Sequence, residues 1–386
     1  MAEEEAPQHT IPVSTPVRAF EDGEESVFAV AVFPDGQRTV TSGRTLRLWD
    51  LKEGVVLKTM KGHNDCVWAV AISKNGEFIA SGDEKGELIF WEGNSGESLT
   101  QVIKAHTTWI SSVDFSPDGA TLATGSSDWT TKLWNTKTMQ PEGDPIECGA
   151  PVHCIRYSPT SNALLAIAAG NYIQIWTTTS RECRILNIQV DVPSPNLSLA
   201  WTPDGTRLLS AGSYGDSNIR EWNTCTWKQV GYPWNGHTND IIDIAVNPTG
   251  TLIASASHDK TVRLWRLSDR QTIASFKLRH SDDLFSIAFS IDGKHILGGG
   301  YDKKVSEWAV PKDVLQGDAV CSACFHIPSS FDRFLMPRLN VPIERRVYLP
   351  CPYNLILSNA RNIFHADPCY ECGSAQCMHI SRSRLC

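Results

Sequence analysis

Two sets of side chains in this 386-residue sequence have the makings of nucleophilic catalysis: His106 with Thr124 and Asp128, and His237 with Ser255 and Asp259. A hydroxyl, an imidazole that takes its proton and a carboxylate that orients the imidazole are the working parts of many hydrolases. A second concentration is thiol. CSAC (321–324) and CYECGSAQCMH (369–379) hold cysteines at the Cys-x-x-Cys spacing commonest among zinc ligands. Cys321, Cys324, Cys369 and Cys372 would close a loop of over forty residues. Cys369, Cys372, Cys377 and His379 make the alternative metal set, with a cysteine where a zinc knuckle has histidine. No P-loop, HExxH, GxSxG or dinucleotide fingerprint accompanies these groups. The hydroxyl–histidine–aspartate set also recurs along the chain, whereas a catalytic set belongs at one accessible site. No catalytic residue, metal or cofactor is therefore expected.

The elements that position these residues are set by a long period. Trp49, Trp91, Trp134, Trp176, Trp222, Trp265 and Trp308 are separated by 42, 43, 42, 46, 43 and 43 residues. A fixed period of that size marks a repeat architecture. The segments ending at these tryptophans agree in detail, as in ATLATGSSDWTTKLW (120–134) and TLIASASHDKTVRLW (251–265). Upstream lie short apolar runs closed by Pro-Asp-Gly or Pro-Thr-Gly, where proline presets φ and glycine permits positive φ. The runs show no helical period and are rich in Val, Ile, Leu and Phe. Each repeat reads as about four short antiparallel strands.

On these motifs the sequence resembles the WD-repeat family over roughly residues 15–310, although the Trp-Asp dipeptide survives only as Trp49-Asp50. The resemblance implies an all-β, seven-bladed propeller. It also implies a buried hydrogen-bonded tetrad in each complete blade. His106, Thr124, Asp128 and Trp134 fit it, as do His237, Ser255, Asp259 and Trp265. His280, Asp302 and Trp308 fit with Gly298 in place of the hydroxyl. His63, Ser81 and Trp91 fit with Lys85 expected at the aspartate position. Gly23, Cys148 and Val192 stand where repeats one, four and five lack the histidine. The last repeat wants its outer strand, which Thr15–Phe20 is expected to supply. The family's common partner surface is the top face, built from the loops entering strand a and the turns between strands b and c. Here that surface is expected to present Trp109, Trp129, Tyr214, His258 and Tyr301, with Asp240 and Asp283 as an acidic component. Tyr214 is expected to protrude from a longer turn.

Composition narrows the partners. Residues 1–310 hold all 13 tryptophans and carry 37 acidic against 27 basic side chains. An acidic body discourages binding to a phosphate backbone, so no nucleic acid is expected. No converging arginines suggest a phosphopeptide reader. No run approaches the roughly 20 apolar residues of a membrane span. The first thirty residues lack the apolar core of a secretory leader, which points to a cytoplasmic or nuclear protein. Residues 1–14 read as a flexible acidic arm and 311–386 as an irregular tail rich in proline and cysteine. The expected function is a non-catalytic scaffold that binds other proteins or peptides through its top face. The alternatives are an adaptor of a ubiquitin ligase or other regulatory complex, and a zinc protein using the carboxy-terminal thiols.

Overall fold

The computed structural model describes residues 15–21, 25–189, 196–212, 215, 217–277 and 283–315. Among the described residues, seven antiparallel sheets follow one another along the chain, six of them made from consecutive strands alone. The first blade is typical: Ala29–Val32, Arg38–Ser42, Leu46–Asp50 and Val55–Met60, from the channel outward. Blade three adds a short fifth strand, Ile146–Glu147, beside its third. The seventh sheet is completed from the other end of the chain. Arg18–Glu21 pairs with Lys304–Ala309 in the register Arg18↔Glu307 to Glu21↔Lys304. The closing strand thus sits slightly later than the expected Thr15–Phe20. Pro16 has no N–H to give to a ladder, and the first backbone bond runs from Val17 N to Glu307 O, 2.7 Å. Residues 1–14 and the tail from 316 onward lie outside the described residues, with all the tail cysteines and His379.

The second strand of each blade is squeezed between its neighbours and is buried along almost its whole length, as in Leu252–Ser257. That explains its small residues: IASAS, LATGS and LGGG leave room for adjacent blades. At Gly82, Gly125 and Gly299 a Cβ would meet the next blade at 2.4 Å (Ile110), 2.6 Å (Val152) and 2.2 Å (Val27). Gly82→Ala is expected to cost about 1–3 kcal/mol by overpacking this seam, read from urea unfolding; an unchanged midpoint would contradict the close packing. The turns after the innermost strands carry Gly36, Gly76, Gly119, Gly205, Gly250 and Gly293 at φ of +67° to +74°, the left-handed region that favours glycine.

Consecutive blades are also joined by side chains. The third position of an innermost strand accepts a hydrogen bond from a backbone N–H of the next blade. Ser112 accepts from Ile155 (3.1 Å), Ser198 from Ile244 (3.2 Å), Asp243 from Ile287 (2.9 Å) and Ser286 from Val30 (3.2 Å). Cys154 Sγ stands 3.4 Å from Leu199 N at the same place. Blades one and two have Ala29 and Ala69 there and cannot make this bond.

Candidate functional site

The hydroxyl–histidine–aspartate sets are assembled, but as buried scaffolding. His106 Nε2 lies 2.8 Å from Thr124 Oγ1 and Nδ1 3.0 Å from Asp128, while Trp134 Nε1 donates to Thr124 Oγ1 at 3.0 Å. His237 repeats this with Ser255 (2.7 Å) and Asp259 (2.7 Å), and Trp265 donates to Ser255 at 2.8 Å. Satisfying every atom requires one direction: indole N–H to hydroxyl oxygen, hydroxyl to Nε2, and Nδ1–H to carboxylate. Both imidazoles are fully buried. The hydroxyl oxygen is held under an indole, where no substrate carbonyl can approach it.

Blade two corrects the expectation for Lys85. His63 pairs with Asp83 (2.9 Å) and Ser81 (2.7 Å), and Trp91 donates to Ser81 (2.8 Å). Asp83 ends its strand where blades three and six have Ser126 and Ser257, whose hydroxyls cap the following turn. Its carboxylate does both tasks, pairing the histidine and accepting from the backbone N–H groups of Lys85 and Glu87. His63, Asp83 and Glu87 also stand close enough to suggest metal ligands. Both imidazole nitrogens are already engaged, so no lone pair remains for an ion. Blade four replaces the histidine relay with Gln174, which accepts from Trp176 Nε1 (2.9 Å) and donates to the Cys148 carbonyl (2.7 Å). In blade seven Gly298 offers no hydroxyl, and Trp308 Nε1 is buried without an acceptor among the described residues.

These networks make the fold acid-labile. Burial alone would raise Asp128 and Asp259, but hydrogen bonds from His106 and Thr130, and from His237 and Thr261, outweigh it and hold both carboxyls well below the usual range. Their contribution is complete above about pH 4 and is lost as pH falls toward the folded-state values. Burial lowers His237, so protonation of the unfolded chain below about pH 6.5 also favours unfolding. Asp114 acts oppositely. Burial raises it to about 6, so it adds stability as pH falls from 6 toward 4. Melting temperature is expected to change little from pH 6.5 to about 4 and then drop steeply. Asp259→Asn should flatten that drop in melts from pH 7 to 3, and an undiminished drop would contradict the assignment.

The residues expected on the top face differ in exposure. Trp129 is 53% exposed and Tyr301 49%. Trp129 adopts φ +73° at the turn position that Gly86, Lys260 and Lys303 hold in other blades. The left-handed region costs a non-glycine residue about 1 kcal/mol, so a half-exposed indole is maintained there under strain. Trp109, expected on the surface, is half-buried with its ring 5.0 Å from that of Trp68. His258 Nδ1 lies 3.3 Å from Asp283, and its backbone N–H donates to the Asp240 carbonyl. Tyr214 lies outside the described residues.

Sequence reasoning missed three aromatics that organise this face. Trp68 and Phe285 occupy the second position of an innermost strand and Phe28 lies one residue before its own, all three at the mouth of the central channel. Phe28 meets Trp68 at 4.2 Å and Phe285 at 5.4 Å, and Phe285 meets Tyr301 at 4.6 Å. The ladder slips a residue at Trp68 and Phe285, a bulge that frees the side chain from the sheet faces. With Trp109 and Tyr301 they form one cluster spanning blades seven, one, two and three. It covers the two seams where Ala29 and Ala69 leave out the side-chain bond. Aligning the repeats one residue past Val27, Val67 and Leu284 would have exposed it. Below the mouth runs a channel of about 640 Å³, lined by Ser112, Ser198, Asp243, Ser286 and Arg156.

Comparison with known proteins agrees with this geometry. The family model "WD domain, G-beta repeat" matches residues 14–50, 54–92, 97–135, 195–223, 228–266 and 271–308, more than half of the chain. The unmatched stretch holds the fourth blade, whose relay is built from Gln174. Similar proteins include Protein FIZZY-RELATED 1 of Arabidopsis thaliana, 29% identical over 220 residues (56% of this chain, 45% of that protein). The Periodic tryptophan protein 2 homolog of Dictyostelium discoideum is 32% identical over 192 residues (48% and 20%). The B-type cell cycle switch protein ccs52A of Medicago truncatula is 26% identical over 220 residues (56% and 45%). The chain spans less than half the length of each. Seven blades in register and six matched repeats settle the assignment: the chain belongs to the WD-repeat family.

Proposed function

We propose that this propeller is a non-catalytic interaction module that holds a protein or peptide segment on its top face, within a cytoplasmic or nuclear complex. The observation that supports it is the aromatic concentration there: the five-ring cluster at the channel mouth, with Trp129 kept half-exposed at a strained turn. Aromatic side chains among polar ones are the composition of interface hot spots. No helix among the described residues is long and apolar enough to cross a membrane. One relative is named a cell cycle switch protein, which favours a place in a regulatory complex, as scaffold or as substrate-recognition adaptor. The test is affinity purification of the full chain beside Trp129→Ala with Tyr301→Ala. The double variant should lose most co-purifying proteins while Ile291→Ala, on the opposite face, keeps them. Retention of every partner by the double variant would refute the reading. Recovery of a ubiquitin-ligase core with the wild-type chain would select the adaptor role over the scaffold.

A further inference from the structure

The chemistry of the channel mouth restricts what it can hold. Phe28, just before its strand, and the second residues of the other six innermost strands line its cavity. Phe28, Trp68, Phe285, Leu197 and Ile242 are apolar. The other two are Ser111 and His153, and burial pushes the His153 imidazole toward its neutral form. No ionised side chain belongs to this ring. Of the charges nearby, Asp65 lies 3.7 Å from Lys85 and Asp283 3.3 Å from His258 Nδ1, while in the channel below Arg156 donates to Ser112 and the Ile155 carbonyl and Asp243 accepts from Ile287 N. Aromatic faces do attract cations, but a buried cation also needs a countercharge, and the ring offers none. A phosphate would need converging arginines, and no arginine is part of the ring.

The mouth also contains two unmet donors. Trp68 Nε1 and Trp109 Nε1 are buried and find no acceptor among the described residues. Six of the seven blade tryptophans, by contrast, donate at 2.8–3.0 Å to a hydroxyl or to Gln174. An indole N–H can only donate, and leaving a buried donor unmet costs about 1–3 kcal/mol. The group that satisfies it without bringing charge into an apolar ring is a carbonyl oxygen. A peptide backbone supplies carbonyls on either side of each side chain.

Building on the top-face reading, we propose that the mouth takes an uncharged apolar or aromatic side chain of a partner peptide, whose flanking main-chain carbonyls accept hydrogen bonds from Trp68 Nε1 and Trp109 Nε1. Tyr301 and Trp109, the outer rings of the cluster, turn outward to admit it. The anchor packs against the cavity side of Phe28, Trp68 and Phe285, whose rings already touch one another at centroid distances of 4.2–5.6 Å.

Three blocked peptides test this on the full-length chain: acetyl-Gly-Phe-Gly-amide, acetyl-Gly-Lys-Gly-amide and acetyl-Gly-phosphoSer-Gly-amide. The readout is the indole N–H resonances in ¹H–¹⁵N spectra, assigned from their loss in Trp68→Phe and Trp109→Phe. The phenylalanine peptide should move both resonances downfield, and the lysine and phosphoserine peptides should leave them in place. Trp68→Phe keeps a ring but removes the donor, and should weaken binding about five- to tenfold. Phe28→Ala, whose dispersed spectrum verifies folding, should abolish the shifts. The inference is overturned if the lysine or phosphoserine peptide moves these resonances and the phenylalanine peptide does not, or if no peptide moves them. It is also overturned if Trp68→Phe binds as tightly as wild type. Failure of the broader reading looks different: there Trp129→Ala with Tyr301→Ala keeps every partner. Lost partners with silent indoles would refute the apolar anchor alone.

Discussion

Deletion of residues 1–21 lowers the melting temperature of the propeller by roughly 10–20 °C. The deletion removes Phe20, 8% exposed, from a cluster with Val27, Trp49, Leu51, Leu297 and Val305. Truncating a buried phenylalanine costs about 3–5 kcal/mol. It also removes Arg18, whose guanidinium lies 2.8 Å from Glu307. Glu307 is 8% exposed at its side chain, so its carboxylate would lose its closest cation inside the sheet. The ladder to Lys304–Ala309 goes as well, so the total loss is about 5 kcal/mol or more. At about 2–4 °C per kcal/mol for a domain of this size, the stated drop follows. Phe20→Ala should reproduce about half of it, and Arg18→Ala less, because that arginine is 44% exposed and water can take its place beside Glu307. The freed edge of Lys304–Ala309 should also promote self-association, visible by size exclusion. A melt unchanged by the deletion would mean that the ring does not depend on this strand.

That strand was legible in the sequence because a missing partner leaves a topological gap: the last repeat ends at strand c. The seven-fold period, the strand–turn alternation and the tetrads of blades three and six were legible for a similar reason, since each repeats in register. What escaped was whatever a side chain does out of pattern. Asp83 sits two residues before the expected position because one carboxylate both caps a turn and pairs a histidine. Gln174 stands two residues before the blade tryptophan, a position that no tetrad member holds, and bridges from Trp176 to the backbone by its length. The aromatic mouth is drawn from separate repeats and from residues of different type, so no local motif announces it. Asp114, Arg156 and Asp243 belong to three different blades and read singly as ordinary strand residues. The charges of Asp114 and Asp243 support that of Arg156, against the effect of burial, only once the ring has closed around all three.

The second large effect lies in the tetrad of blade six, and it separates a network from a single bond. Ser255→Ala leaves two buried groups without partners: Trp265 Nε1, which donates to its hydroxyl, and His237 Nε2, which accepts from it. Each unmet buried group costs about 1–3 kcal/mol, so a loss of about 3–4 kcal/mol is expected. Blade five supplies the control. Ser210 is equally buried and accepts from Trp222 Nε1 at 3.0 Å, but no histidine among the described residues bonds to it. Ser210→Ala should therefore cost about 1–2 kcal/mol. Thr124→Ala, which strips His106 and Trp134 together, should fall with Ser255→Ala rather than with Ser210→Ala. Urea unfolding of the three variants measures the ordering. Equal costs would mean that the histidine adds nothing to the blade and that the tetrad is merely an indole–hydroxyl pair. The seventh blade already lives with the smaller defect, since Trp308 finds no acceptor beside Gly298 among the described residues. That tolerance sets the scale: the ring withstands single unmet indoles, whereas losing a full relay in a blade removes a large share of a stability that for natural domains is only about 5–15 kcal/mol.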